Sequence, residues 1–94
     1  MTGRNGALLA CFYADWCPHC IRYLPHFERH SGRPGIELAE VDVSDEDDPL
    51  WEELSLAVVP TLILFRDGFQ VARVDGVLGR GLRPDDIDRL ISAS

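Results

Sequence analysis

The sequence predicts an α/β domain, a mixed four-stranded sheet covered by three helices. Three observations carry that prediction. Two short runs, 7–14 and Thr61–Phe65, are almost wholly apolar, the pattern of strands buried on both faces. An amphipathic stretch at helical spacing separates the first run from a second strand-like segment, and strands joined through a crossover helix run parallel. Asp67-Gly68 separates two further strand-like runs, a hairpin signal that makes the last pair antiparallel.

Each element has its own reason. The run Ala7-Leu8-Leu9-Ala10-Cys11-Phe12-Tyr13-Ala14 lacks polar alternation, so it reads as a central strand. The first helix is expected from Pro18 to His30. Proline suits a first helical turn, where its missing N–H breaks no bond. Ile21, Leu24 and Phe27 give its apolar stripe with Tyr23 beside it, and Pro25 should kink it. Residues 31–35, Ser-Gly-Arg-Pro-Gly, read as a loop. A second strand follows from Ile36 to Val43. The acidic run 44–48 reads as a solvated loop leading to a helix N-terminus, where acids complement the dipole. A short helix opened by Pro49 carries Leu50, Trp51, Leu54 and Leu56. Thr61–Phe65 and Phe69–Val74 form the hairpin. The last helix starts near Pro84, with Leu82 and Ile87 as a hydrophobic staple around Arg83 as N-cap. Ile87, Leu90 and Ile91 are expected to face the sheet.

The chain of 94 residues fits one domain, 1–94, large enough to bury about 60–65% of its unfolded surface. A formal charge of −7 argues against nucleic acid and anionic membranes as partners, since both need a basic face. All nine basic residues are arginine, which reads as composition bias. Three cysteines, an odd number, do not suit a disulfide scaffold. The apolar run at 7–14 is too short to span a bilayer. Cleavage after it as a signal peptide would remove the strand preceding the cysteines. The expected location is cytoplasmic.

The chemistry lies in Cys17-Pro18-His19-Cys20. These residues sit where a buried strand ends and a helix begins. A helix N-terminus leaves N–H groups unpaired and carries partial positive charge. Such a site favours a thiolate, the reactive form of cysteine. A half zinc site and a structural pair are the competing readings of an isolated C-x-x-C. Zinc needs about four ligands. The other candidates are Cys11, expected inside the strand, and His26 and His30 on the helix, so no metal is expected.

The surrounding residues decide the reading. Phe12-Tyr13-Ala14-Asp15-Trp16-Cys17-Pro18-His19-Cys20 resembles the active-site strand and turn of the thioredoxin family. Pro25 matches that family's helix-kinking proline. Val59-Pro60-Thr61, followed by Leu62-Ile63-Leu64-Phe65-Arg66-Asp67-Gly68, resembles its cis-proline loop and hairpin. Val74-Asp75-Gly76 resembles its glycine after the fourth strand. The resemblance covers 7–94, in the order the family requires, without the N-terminal strand and helix of full-length thioredoxin. It implies the minimal thioredoxin fold. It also implies that Cys17 attacks substrate disulfides and Cys20 resolves the mixed disulfide. Pro60 would be cis, the Val59 backbone would pair with an extended substrate peptide, and Trp16, Thr61 and Gly76 would line the same groove. The cofactor would be none beyond the redox-active Cys17–Cys20 disulfide.

Two departures from the family stand out. Its buried aspartate, six residues before the first cysteine and proton acceptor for the resolving one, is here Cys11, read as a small buried hydrophobe. Glu40 matches the position of the family's lysine partner on the neighbouring strand. It could replace that acceptor or point to solvent; both readings stay open. The dipeptide Pro18-His19 resembles that of DsbA-type disulfide oxidases. A charged or hydrogen-bonding His19 near the sulfur would favour the thiolate and make the couple more oxidising than thioredoxin's. The leading expectation is a thioredoxin-like protein disulfide reductase, a monomer recharged by a thiol reductase or small thiol. The alternatives are a DsbA-like oxidase or isomerase, or a non-catalytic, redox-switched peptide-binding module.

Overall fold

A computed structural model describes residues 6–29, 35–77 and 79–93. The expected loop at 31–34 and the expected last helical residue, His30, lie outside them. The described residues form β1 (Ala7–Tyr13), α1 (Pro18–Arg29), β2 (Ile36–Asp42), α2 (Leu50–Glu53), β3 (Thr61–Arg66), β4 (Phe69–Asp75) and α3 (Asp86–Ala93). The four strands make one sheet in the order β2-β1-β3-β4. β1 pairs parallel with β2, Cys11 beside Glu40, and antiparallel with β3, Cys11 beside Leu62. β3 and β4 pair antiparallel, with a bulge between Leu64 and Phe65. Asp67 and Gly68 close that hairpin with φ of 54° and 85°, the left-handed pair that a two-residue turn requires.

Alternation along the strands divides the core in two. Leu9, Cys11, Leu62 and Leu64 face Tyr23 and Phe27 of α1 and Ile87, Leu90 and Ile91 of α3. Ala10, Phe12, Ile63 and Phe65 face the other way, onto Leu50, Trp51, Leu54 and Leu56 around α2. β1 and β3, covered on both faces, are the strands whose sequence is nearly all apolar.

The helices depart from expectation in three places. The buried stripe of α1 is Cys20, Tyr23 and Phe27 with Leu24 beside it, whereas Ile21 is 60% exposed. Burying Cys20 turns the helix so that Ile21, one residue on, faces solvent. α2 stops at Glu53, before Leu54 and Leu56, because Ser55 reverses the chain at φ 51°. Leu56 then reaches the core from outside the helix. Arg73 on β4 secures this corner: its guanidinium donates to the carbonyls of Leu54 and Ser55, which the helix leaves unpaired, and its Nε donates to Asp75 at 2.7 Å. In the acidic run, Asp45 and Asp48 carboxylates accept backbone N–H groups of Asp47 and Leu50, each at 2.9 Å, so these acids build turns into α2.

The third departure is the start of α3, whose helical residues begin at Asp86 and not near Pro84. Arg83 contributes no side-chain cap. Instead the Asp86 carboxylate reaches back and accepts the Arg83 N–H at 2.7 Å, the returning half of a capping box. Asp86 is buried, and Arg89 lies 3.6 Å from its second oxygen. Asp86→Ala should therefore lower the unfolding free energy by about 1–2 kcal/mol, read by urea denaturation. Arg89→Ala should cost under about 1 kcal/mol, because that guanidinium is largely in water.

Candidate active site

β1 delivers the chain to the site. After Tyr13 the backbone turns over Ala14, and Ser44, just past β2, fixes the turn. Its hydroxyl accepts the Asp15 N–H and its carbonyl accepts the Trp16 indole N–H, both at 2.8 Å. Trp16 is 51% exposed and not a core residue. Cys17 comes next and occupies the N-cap of α1. Its carbonyl accepts the Ile21 N–H at 3.1 Å, opening the helix, and its sulfur accepts the Cys20 N–H at 3.3 Å. Those are the bonds that a capping Ser or Asp makes with its oxygen. Pro18 then takes the first helical position, where it wastes no donor.

The two thiols of the pair differ. Cys17 is 6% exposed, with its S–H directed at the Val59 carbonyl 3.5 Å away. Cys20 is fully buried. Burial above all, and then its hydrogen bond to the Cys17 sulfur, pushes its thiol up to about 12, against a smaller opposing effect from the Ala14 backbone. The site thus holds one sulfur at the helix end and a second, behind it, that keeps its proton. Cys11 lies behind them, wholly buried in the core under α1 and α3. Burial first, then the nearby Cys20 and Glu40, raises its thiol far above the ordinary range.

Glu40 is on the same sheet face as Cys11, since the two are register partners on parallel strands. It is exposed at the sheet edge, where it shares a hydrogen bond with Glu28 of α1. Partial desolvation and that second carboxyl raise its pKa. The carboxyl at the family's acceptor position is thus replaced by a thiol, and the carboxyl of its register partner Glu40 stands at the rim.

The Val59–Pro60 peptide bond is cis. Val59 packs on Ala14, Cys17 and Cys20, which sets its loop against the dithiol. Thr61 does not line a groove with its side chain. It is fully buried, and its hydroxyl donates to the Val58 carbonyl at 2.8 Å, holding the loop from beneath. Gly76 donates its N–H to the Pro60 carbonyl at 2.9 Å, and a Cβ at Gly76 would stand 2.6 Å from that oxygen. Only glycine permits this approach. Among the described residues, no group of His, Cys, Asp and Glu converges as a metal site.

Three contacts at the site have no counterpart in the sequence reading. Ser44 is one. Gly81 is the second: it lies against His19, where an added Cβ would come within 2.8 Å of the His19 Cβ. Arg22 is the third, with its guanidinium 3.3 Å from His19 Nδ1. A fixed positive charge thus stands beside the His19 ring. The i,i+3 spacing of His19 and Arg22 is the signal that could have revealed that pair.

Gly76→Ala should disrupt the site without touching a sulfur. Forcing the backbone of β4 away from Pro60 should cost about 1–3 kcal/mol in stability, by denaturation. Reduction of a peptide disulfide should slow with it. An unchanged stability would mean that the loop moves freely.

Known proteins share this arrangement. A family model described as Thioredoxin matches residues 2–88. Thioredoxin of Chlamydia trachomatis is 34% identical over 89 residues, 94% of this chain and 82% of that protein. Protein disulfide-isomerase of Hordeum vulgare is 38% identical over 72 residues, 70% of this chain but only 14% of that protein. A relative in Schizosaccharomyces pombe is likewise covered over 14% of its length, so the chain corresponds to a small part of such proteins. Among solved structures, a mutant thioredoxin from Halobacterium salinarum superposes with a TM-score of 0.75 at 37% identity, covering 95% of this chain and 74% of that one. No helix of the described residues is long and apolar enough to cross a membrane. Matched from residue 2 to 88 by the family model, and along most of its length by a thioredoxin, the chain belongs to the thioredoxin family, as an oxidoreductase acting on protein disulfides.

Proposed function

We propose that the chain is a cytoplasmic protein disulfide reductase, a monomer in which Cys17 attacks and Cys20 resolves. The observation that carries the assignment is the capping of α1 by the Cys17 sulfur, with Cys20 buried behind it and still protonated. In the first step the Cys17 thiolate attacks one sulfur of a substrate disulfide. The substrate S–S bond breaks, its second sulfur leaves as a thiolate and takes a proton, and a mixed disulfide joins Cys17 to the substrate. Cys20 then gives up its proton and attacks the Cys17 sulfur. The substrate departs as a dithiol, reduced by two electrons, and the chain is left with the Cys17–Cys20 disulfide. A thiol reductase or small thiol returns the two electrons.

The substrate would lie as an extended segment along Val59, pairing with its backbone as an added strand does. Trp16 and Gly76 would flank it, while Pro60 and Thr61 hold the loop. With aspartate absent at Cys11, Glu40 on the neighbouring strand would serve as the acceptor for the Cys20 proton. The reductive direction is supported by the likeness to thioredoxins along most of the chain.

Two experiments test the reading. Cys20→Ser should accumulate a mixed disulfide with a peptide substrate, seen as a mass adduct on Cys17, whereas Cys17→Ser should accumulate none. Adducts from Cys17→Ser alone would reverse the roles. Equilibration in a glutathione buffer poised near about −200 mV decides direction: a couple close to thioredoxin's ~−270 mV remains a disulfide, and one close to DsbA's ~−120 mV is reduced. Reduction of the pair in that buffer would mark an oxidase.

A further inference from the structure

The chain carries a formal charge of −7, yet its cations are not spread evenly. Arg22, Arg80 and Arg83, with His19 and His26, line one cleft of about 290 Å³ between α1 and the segment leading to α3. No acidic side chain lines it. Asp85, Asp86 and Asp88 follow in sequence and their charges act on Tyr23, but none lines the cleft, and the Asp86 carboxylate is taken by the Arg83 N–H and by Arg89. Among the described residues neither the Arg80 nor the Arg83 guanidinium has a side-chain or carbonyl partner. Tyr23 belongs to the same wall. It is 3% exposed, and its buried hydroxyl has no hydrogen-bond partner among the described residues. A buried donor without a partner is costly, as is a cluster of like charges. An anion in the cleft would relieve the repulsion.

The cleft adjoins the dithiol motif through His19, which lies between Cys17 and Cys20 in sequence and forms part of the cleft wall, with Gly81 against it. A substrate reaching from Cys17 past His19 would meet the cleft. The ligands that must reach Cys17 are protein disulfides, so the matching anion is a carboxylate carried next to one. Guanidinium groups pair well with carboxylates, often through two parallel hydrogen bonds.

We infer that this cleft binds an acidic side chain of the substrate, so that the chain selects disulfides flanked by Asp or Glu. The inference rests on the oxidoreductase reading above and adds a substrate class to it. The test uses two peptides with the same disulfide, one carrying Glu and the other Gln two residues from a cysteine. At low salt the pre-reduced chain should reduce the Glu peptide about tenfold faster. In the Arg80→Gln, Arg83→Gln double variant the ratio should fall to about one. It should also fall in ~1 M salt, where charges are screened beyond ~3 Å. Equal rates for the two peptides, or a preference that survives in the double variant, would overturn the proposal. Cysteine-free versions of both peptides read the cleft without the chemistry, by NMR of the His19 and His26 ring signals. The Glu version should shift them and the Gln version should not; no difference overturns the cleft. Shifts without reduction of either peptide would sink the redox reading and leave the cleft standing.

Discussion

The sulfur of Cys17 in the N-cap position is the interaction on which the rest of the site depends. A helix end needs an acceptor for its first free N–H groups, and oxygen normally supplies it. Here the acceptor is sulfur, and the bond from the Cys20 N–H sets the separation of the two cysteines along the chain. Because the N-cap precedes the helix by one residue and the third helical position returns to it, C-x-x-C is the spacing that puts one thiol on the cap and the second under it. Burial of Cys20 follows from the same geometry, since the helix lies on the sheet along the face that carries Cys20, Tyr23 and Phe27.

The sheet serves that cap. Among the described residues, β1 is the one strand with a parallel neighbour on one side and an antiparallel neighbour on the other. Its end is therefore fixed in both directions, and α1 starts a few residues past that end. β3 brings Pro60 to the same edge because it runs antiparallel to β1, so its first residues lie beside the last of β1. Gly76 arrives by the same logic at the end of β4. Three chain segments distant in sequence meet at one end of the sheet as a consequence of strand direction.

Much of this is legible in the sequence, and the exceptions have physical reasons. Strand identity comes through because β1 and β3 are covered on both faces, which removes polar residues from them. The cysteine pair and the cis Pro60 are marked by local motifs. The face of α1 is misread at Ile21, since an apolar residue at helical spacing does not reveal that a neighbouring thiol has the stronger claim to burial. The length of α2 is overestimated because Leu54 and Leu56 are core residues held by a reversal at Ser55, and apolar spacing cannot tell a helix from a turn that feeds the same core. Gly81 against His19 is invisible: the two are far apart in sequence, and nothing local to either records the contact.

Trp16 illustrates how a fixed residue can widen the range of partners. Its indole N–H, the only polar atom of the side chain, is already bonded to Ser44 within the chain. What faces water is a flat hydrocarbon plate with its polar handle tied off. A partner lying on it meets no donor that demands an acceptor, so it suffers no penalty for lacking one. The ring is also held in place beforehand, which limits the rotational freedom lost on contact. In the proposed substrate groove, discrimination at this position would work through shape alone and be coarse, in contrast to sites where a buried hydrogen-bonding group rejects every ligand without the matching atom.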